Sequence, residues 1–114
     1  MDKCIFCMIA NGEIPTNKAY EDDKVIAFYD LEPQAPVHVL IVPKKHYESI
    51  LAVPAEESCV VGHMFQVASK LANELGIAEK GFRLIINTGK DGGQSVPHLH
   101  VHMTGGREHG WPAG

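Results

Sequence analysis

The sequence predicts an α+β fold: an antiparallel sheet of about five strands, one long helix on one face of the sheet, and a short N-terminal helix. Three observations carry this expectation. Five short runs rich in strand-forming residues are spread along the chain. One segment alone, residues 54–76, has sustained helical periodicity. The links between the runs are short, which favours antiparallel neighbours over parallel crossovers.

Each element has a local cause. In "CIFCMIANGEIP", Cys4, Cys7 and Met8 share helical spacing, as do Ile5 and Ile9, and Gly12 and Pro15 end the pattern. "NKAYED" is a short strand closed by a turn at Asp22–Asp23, and "KVIAFYDL" alternates loosely but is rich in strand formers. "APVHVLIVP" is a strongly buried strand bounded by Pro36 and Pro43. In "PAEESCVVGHMFQVASKLANELG", Val60, Met64, Val67, Leu71 and Leu75 make one apolar stripe. Glu56 and Glu57 suit the positive end of that helix dipole, and Gly76 suits its end. "FRLIINTG" is the next strand, "KDGGQSVP" a polar glycine-rich loop, and "HLHVHMT" the last strand. The tail "GGREHGWPAG" holds too much glycine and proline for regular structure.

The 114 residues fit one domain, residues 1–114, and their balance of 45% apolar to 21% charged is that of a globular protein. A domain this small leaves much of its surface exposed, so a homodimer is a natural way to bury more. No apolar run approaches the ~18 residues of a membrane span, and "MDKCIFC" does not read as a secretory signal. Three cysteines, two of them spaced Cys-x-x-Cys, point to a reducing compartment, and so to the cytoplasm. A net charge of −4 without a Lys/Arg cluster disfavours nucleic acid, yet one phosphate can still be held by local donors.

The chemistry concentrates in "SVPHLHVHMTGG". Alternate side chains of a strand point to opposite faces, so His98, His100 and His102 share one face, open to a cleft or to water, while Leu99, Val101 and Met103 pack into the core. Neighbours on that face lie ~6.6 Å apart and the outer pair roughly 13 Å. A single zinc ion held by all three is therefore strained, and separate roles are easier to build. Neutral imidazole is a nucleophile near neutral pH, and imidazolium donates to anionic oxygens. Just upstream, Gly92 and Gly93 let the backbone approach a ligand, and Ser95 offers a hydroxyl. An anion site beside a nucleophile suits displacement at phosphorus. The sequence has no P-loop motif.

The run "HLHVHMT" resembles the motif of the histidine-triad family, His-φ-His-φ-His-φ-φ with φ apolar, and Thr104 departs from it only at the last place. "EIP", "FYDLEPQAPVHVLIVPKKH", "NTGKDGGQSVPHLHVH", "GGR" and the terminal "WPAG" extend the resemblance over nearly the whole chain. The Pro-Gln-Ala-Pro, Gly-Gly-Gln-Ser and Trp-Pro segments are similar to the Hint branch, the purine nucleoside phosphoramidases. The resemblance implies that His100 attacks the α-phosphorus of a nucleoside phosphoramidate. It forms a nucleotidyl-histidine that water then hydrolyses. It further implies that His102, Asn87 and Ser95 contact phosphate or leaving-group atoms, with Gly93 in the same loop. Asp30 takes the ribose hydroxyls, and Phe6, Ile9, Phe28 and Leu31 line the base pocket. His38 stands beside the triad, and Trp111 lies near the active site of a partner subunit in a homodimer. From the residues alone, Phe6, Ile9, Phe28 and Leu31 read first as core side chains, Asp30 as a turn cap and His38 as a satisfied core histidine. Two other activities stay open: a dinucleoside-polyphosphate hydrolase or nucleotidyl transferase, and a non-catalytic nucleotide- or zinc-binding scaffold.

Cys4 and Cys7 have metal-ligand spacing, though they are also two small apolar residues one helical turn apart. Relatives in the wider family pair these positions with two histidines around a structural zinc, and the matching positions here are His46 and His98. Catalysis is expected to need no metal. Cys59, His63 and His109 have no role in this reading.

Overall fold

A computed structural model describes residues 4–114. The chain forms a helix Ile5–Ala10 (α1), strands Lys18–Glu21 (β1), Val25–Tyr29 (β2) and Val37–Pro43 (β3), a long helix Cys59–Glu74 (α2), and strands Phe82–Ile85 (β4) and Val101–Gly105 (β5). The five strands make one antiparallel sheet in the order β1-β2-β3-β5-β4. The α+β reading of the sequence therefore holds.

β3 is central because it is apolar at almost every position, and a strand buried on both faces needs no polar alternation. Val25, Ala27, Val39, Ile41, Val101 and Met103 point to one face, where they meet Met64, Val67, Ala68, Leu71 and Ala72 of α2. Ile26, Phe28, Leu40 and Val42 point to the other, where Phe6 and Ile9 of α1 cover them. The inward side of α1 is thus Phe6 and Ile9, while Ile5 faces outward. α2 ends as a Schellman turn: Ile77 N–H reaches the Ala72 carbonyl at 3.0 Å and Gly76 N–H the Asn73 carbonyl at 3.4 Å. Gly76 takes φ 78°, the left-handed region that glycine adopts without penalty.

Three boundaries differ from the sequence reading. α2 starts at Cys59, and Glu56 and Glu57 lie in a preceding 3₁₀ turn, Ala55–Glu57. There the Glu57 carboxylate accepts from the Tyr47 hydroxyl and the Lys45 ammonium instead of facing the helix end. The last strand starts at Val101, because the N–H of Leu99 bonds the Tyr47 carbonyl at 2.7 Å and holds residues 98–100 against the loop after β3. That leaves residues 86–88 without a ladder partner, so β4 stops at Ile85. The alternation survives the lost ladder, and Leu99, Val101 and Met103 all lie in the core. Among the described residues, no helix is long and apolar enough to cross a membrane.

Candidate active site

The imidazole face is covered by Phe6 over His98 and His100 and faces a cleft beside His100 and His102. His98 and His100 are buried, and only His102 is half-exposed. Phe6 supplies the lid, with its ring edge-on to His98 and His100 at centroid distances of 5.9 and 5.1 Å.

Each histidine has a distinct set of partners, and the partners fix its tautomer. Nδ1 of His100 lies 2.7 Å from the His98 carbonyl oxygen. A carbonyl only accepts, so Nδ1 carries the proton and the Nε2 lone pair is free. His38 is buried on β3, where its Nδ1 accepts from the Gln34 N–H at 3.0 Å. Its proton therefore sits on Nε2, which lies 2.9 Å from Nδ1 of His102 and 3.4 Å from a carboxylate oxygen of Asp30. His102 then accepts at Nδ1 and carries its own proton on Nε2. The pair meets diagonally across the ladder, since His38 lies opposite Thr104 and His102 opposite Leu40. Asp30, His38 and His102 also have metal-ligand proximity. The Gln34 N–H opposes that use, because it keeps Nε2 of His38 protonated.

Burial pushes His38 below the ordinary imidazole range, against the pull of the Asp30 carboxylate. His102 falls from 6.5 to about 4, first through burial and then through His100 and His38. Both are therefore neutral at pH 7. Between about pH 4 and 6.5 the folded state binds fewer protons at His102 than the unfolded chain does, so this residue costs stability as pH falls through that window. An NMR titration of the His102 ring is expected to have its midpoint near pH 4. A midpoint at the ordinary 6.5 would contradict the buried, neutral assignment.

A cavity of about 320 Å³ opens beside His100 and His102. Phe6, Ile9, Phe28 and Leu40 make its apolar wall, and Asp30, Ser95 and the two imidazoles its polar end. Phe6, Ile9 and Phe28 are thus core and lining at once. Leu31 stands at the rim, 94% exposed. One oxygen of Asp30 caps the following turn by accepting the Glu32 N–H at 2.8 Å, and the other faces His38. Asn87, Gly93 and Trp111 do not border the cavity. Trp111 is largely exposed in the irregular tail.

The loop before the triad is stitched from within. The Asn87 amide donates to the Gly92 carbonyl at 2.8 Å. Gln94 accepts from the Gly89 N–H and donates to the carbonyls of Glu48 and Val96, which fixes Ser95 between its neighbours. Gly92 is required by the chain itself, because a Cβ there would sit 2.8 Å from the Thr88 nitrogen and closer still to its carbonyl oxygen. Gly93 takes φ 76°. A Gly92→Ala variant is expected to displace this loop and cut turnover by about tenfold or more, with a smaller effect on melting, because the loop lies outside the core. Steady-state kinetics alongside thermal melting test this, and wild-type turnover in the variant would refute it.

A second cluster lies behind the triad. Nδ1 of His98 is 3.2 Å from Sγ of Cys4, 3.5 Å from Sγ of Cys7 and 3.1 Å from Nδ1 of His46, and Sγ of Cys7 is 3.2 Å from Nδ1 of His46. Nε2–H of His98 donates to the Pro43 carbonyl at 2.9 Å, which turns the Nδ1 lone pair into the cluster. Zinc bonds of about 2.3 Å to sulfur and 2.0–2.1 Å to nitrogen place tetrahedral ligand atoms roughly 3.3–3.8 Å apart. Three of the observed spacings, 3.1 to 3.2 Å, fall slightly short of that range and the fourth, 3.5 Å, lies within it, and an S₂N₂ donor set suits zinc. With protein atoms alone, burial and then the neighbouring Cys4 thiol push Cys7 up to about 11. A central cation would reverse that by stabilising the thiolates.

Sequence reasoning missed the anchoring roles of Gln94, the Pro43 carbonyl and the Gln34 N–H, and the part of Leu40 in the cavity wall. Only Gln94 had a signal, as a polar residue inside the glycine loop. His63, given no role from sequence, pairs with Asp22 at 2.7 Å, and His109 bonds the Thr104 hydroxyl at 2.8 Å.

The HIT domain profile matches residues 11–109, from the end of α1 through β5. The chain belongs to the HIT family. This HIT chain is 47% identical over 106 residues to the purine nucleoside phosphoramidase of Escherichia coli (strain K12), covering 93% of this chain and 89% of that one. Among solved structures, it matches a histidine triad protein from Clostridium difficile with a TM-score of 0.91 at 54% identity, over 95% of this chain and 96% of the other. A HIT family hydrolase from Legionella pneumophila Philadelphia 1 matches with a TM-score of 0.96 at 46% identity, over 98% of this chain and all of that one. The antiparallel sheet with its long helix is the fold these proteins share.

Proposed function

We propose that this protein is a hydrolase that cleaves the P–N bond of purine nucleoside 5′-phosphoramidates through a nucleotidyl intermediate on His100. The observation that carries the reading is the 2.7 Å contact from Nδ1 of His100 to the His98 carbonyl. It leaves a buried imidazole with its Nε2 lone pair free, beside a cavity with an apolar wall and a polar end. Identity to a purine nucleoside phosphoramidase supports the same reading.

In the first step, Nε2 of His100 attacks the α-phosphorus in line with the leaving nitrogen. The P–Nε2 bond forms, the P–N bond to the amine breaks, and the amine departs with a proton taken up from the solvent, since His102 is neutral at pH 7. Nε2–H of His102, whose Nδ1 is held by His38, is a hydrogen-bond donor to phosphate oxygens at the polar end of the cavity. Water then attacks the same phosphorus and returns one proton to the solvent, the P–Nε2 bond breaks, and the nucleoside monophosphate is released. Ser95, at the polar end of the cavity, holds phosphate oxygens, and the loop around Asn87 and Gly93 positions it. Asp30 takes the ribose hydroxyls, and Phe6, Ile9, Phe28 and Leu31 the purine.

Cys4, Cys7, His46 and His98 would hold a structural zinc. When bound, it supplies a cross-link between α1 and the loops around β3 and the triad, and catalysis needs none of its chemistry. The protein acts as a homodimer in a reducing compartment, the cytoplasm. β4, at the edge of the sheet, and the partly exposed Phe65 and Phe82 support a paired surface. Trp111 then reaches the partner's site.

A substrate panel tests the function. Adenosine 5′-phosphoramidate should be turned over far faster than diadenosine polyphosphates. Preference for the diadenosine compounds would overturn the phosphoramidase reading in favour of a polyphosphate hydrolase.

A further inference from the structure

We infer that metal binding at Cys4, Cys7, His46 and His98 and nucleotide binding in the cavity are thermodynamically coupled through α1, so that each raises the affinity of the other. The inference rests on the proposed nucleotide site and goes beyond it, since it concerns what sets that site's affinity.

α1 has six residues, too few to be stable alone. It must be held by what it touches. On one side it carries the thiols of Cys4 and Cys7, and on the other the rings and chains that make the cavity wall, Phe6 and Ile9. Phe6 lies between the two thiols in sequence. Its ring packs edge-on against the proposed metal ligand, His98, the proposed nucleophile, His100, and its neighbour in the apolar wall of the cavity, Phe28, at 5.6 Å. Cys4 is also the N-cap of the helix, with its Sγ accepting the Cys7 N–H at 3.4 Å. A metal-bound thiolate accepts that bond better than a thiol does.

The second link runs through His98. Its Nδ1 faces the cluster, its Nε2–H is tied to Pro43, and its carbonyl holds Nδ1 of His100. An ion that fixes the His98 ring also fixes the peptide that sets the nucleophile's tautomer. Without the ion, α1 and residues 98–100 sample more positions, and a nucleotide must order them when it binds. With the ion in place, that ordering is already complete. The entropy cost then falls on the first ligand to bind and is removed from the second. Such couplings are typically 5–150-fold, and they are reciprocal.

AMP and zinc are the probes. Isothermal titration is expected to give an AMP affinity about fivefold or more higher for zinc-loaded than for metal-stripped protein. Zinc affinity, read by competition with a chromophoric chelator, should rise by the same factor in saturating AMP. In a Phe6→Ala variant both ratios should fall toward one while zinc still binds. If stripping lowers the melting point too far for titration, the chelator competition on loaded protein carries the measurement alone. Equal AMP affinities with and without zinc would overturn the coupling and leave the nucleotide site standing. Absence of AMP binding in both forms would overturn the proposed function itself, and absence of zinc binding would overturn the coupling at its source.

Discussion

His100→Asn is expected to lower turnover of adenosine 5′-phosphoramidate by roughly 10³-fold or more, while AMP affinity stays within a few-fold of wild type. The asparagine amide is close in size to the near part of the ring and can still donate to the His98 carbonyl, as Nδ1 does at 2.7 Å. It lacks a nitrogen lone pair that can attack phosphorus. The apolar wall of Phe6, Ile9, Phe28 and Leu40 is untouched, so binding survives. Single-turnover kinetics with a parallel binding titration separate the two quantities. Retained turnover would remove His100 from the chemistry. Loss of binding with unchanged single-turnover rate would make it a binding residue only.

Removing metal from the proposed centre should have the largest effect on stability. A strong chelator, or the Cys4→Ser/Cys7→Ser double variant, is expected to lower the melting temperature by on the order of 10 °C. An ion present at about 1,000 times its dissociation constant stabilises a fold by roughly 4 kcal/mol. Each kcal/mol moves a domain of this size by about 4 °C. The loss should be local first, because α1 depends on the centre, whereas the α2 face of the sheet has its own buried cluster. Differential scanning calorimetry of zinc-loaded and stripped protein measures the shift. Melting unchanged by the chelator, with no zinc found by elemental analysis, would refute the metal centre.

Much of the architecture was legible because burial leaves a period in the sequence. Met64, Val67 and Leu71 repeat at the helical step, and Leu99, Val101 and Met103 at the strand step, and all six are buried. The ends of elements were less legible, because they depend on distant backbone partners. The Leu99–Tyr47 bond that delays β5 joins residues 52 positions apart and leaves no local mark. The same holds within the site. Alternation predicts that three imidazoles share a face, but not that α1 covers two of them. Which nitrogen carries each proton is decided by the carbonyls of His98 and Pro43 and the N–H of Gln34. Backbone groups of that kind are present at every position, so composition and motif carry no trace of them. The glycine loop was read as a place for ligand approach. Gly92 has a second reason that no local pattern shows, the crowding of Thr88.

The most direct test is to trap the covalent intermediate. The protein is mixed with a slowly hydrolysed adenosine phosphoramidate, quenched within one turnover, digested at alkaline pH and mapped by mass spectrometry. An adenylate adduct is expected on the imidazole of His100 and on no other histidine. Turnover without any adduct, or an adduct on His98, His102 or His38, would contradict nucleophilic attack by His100.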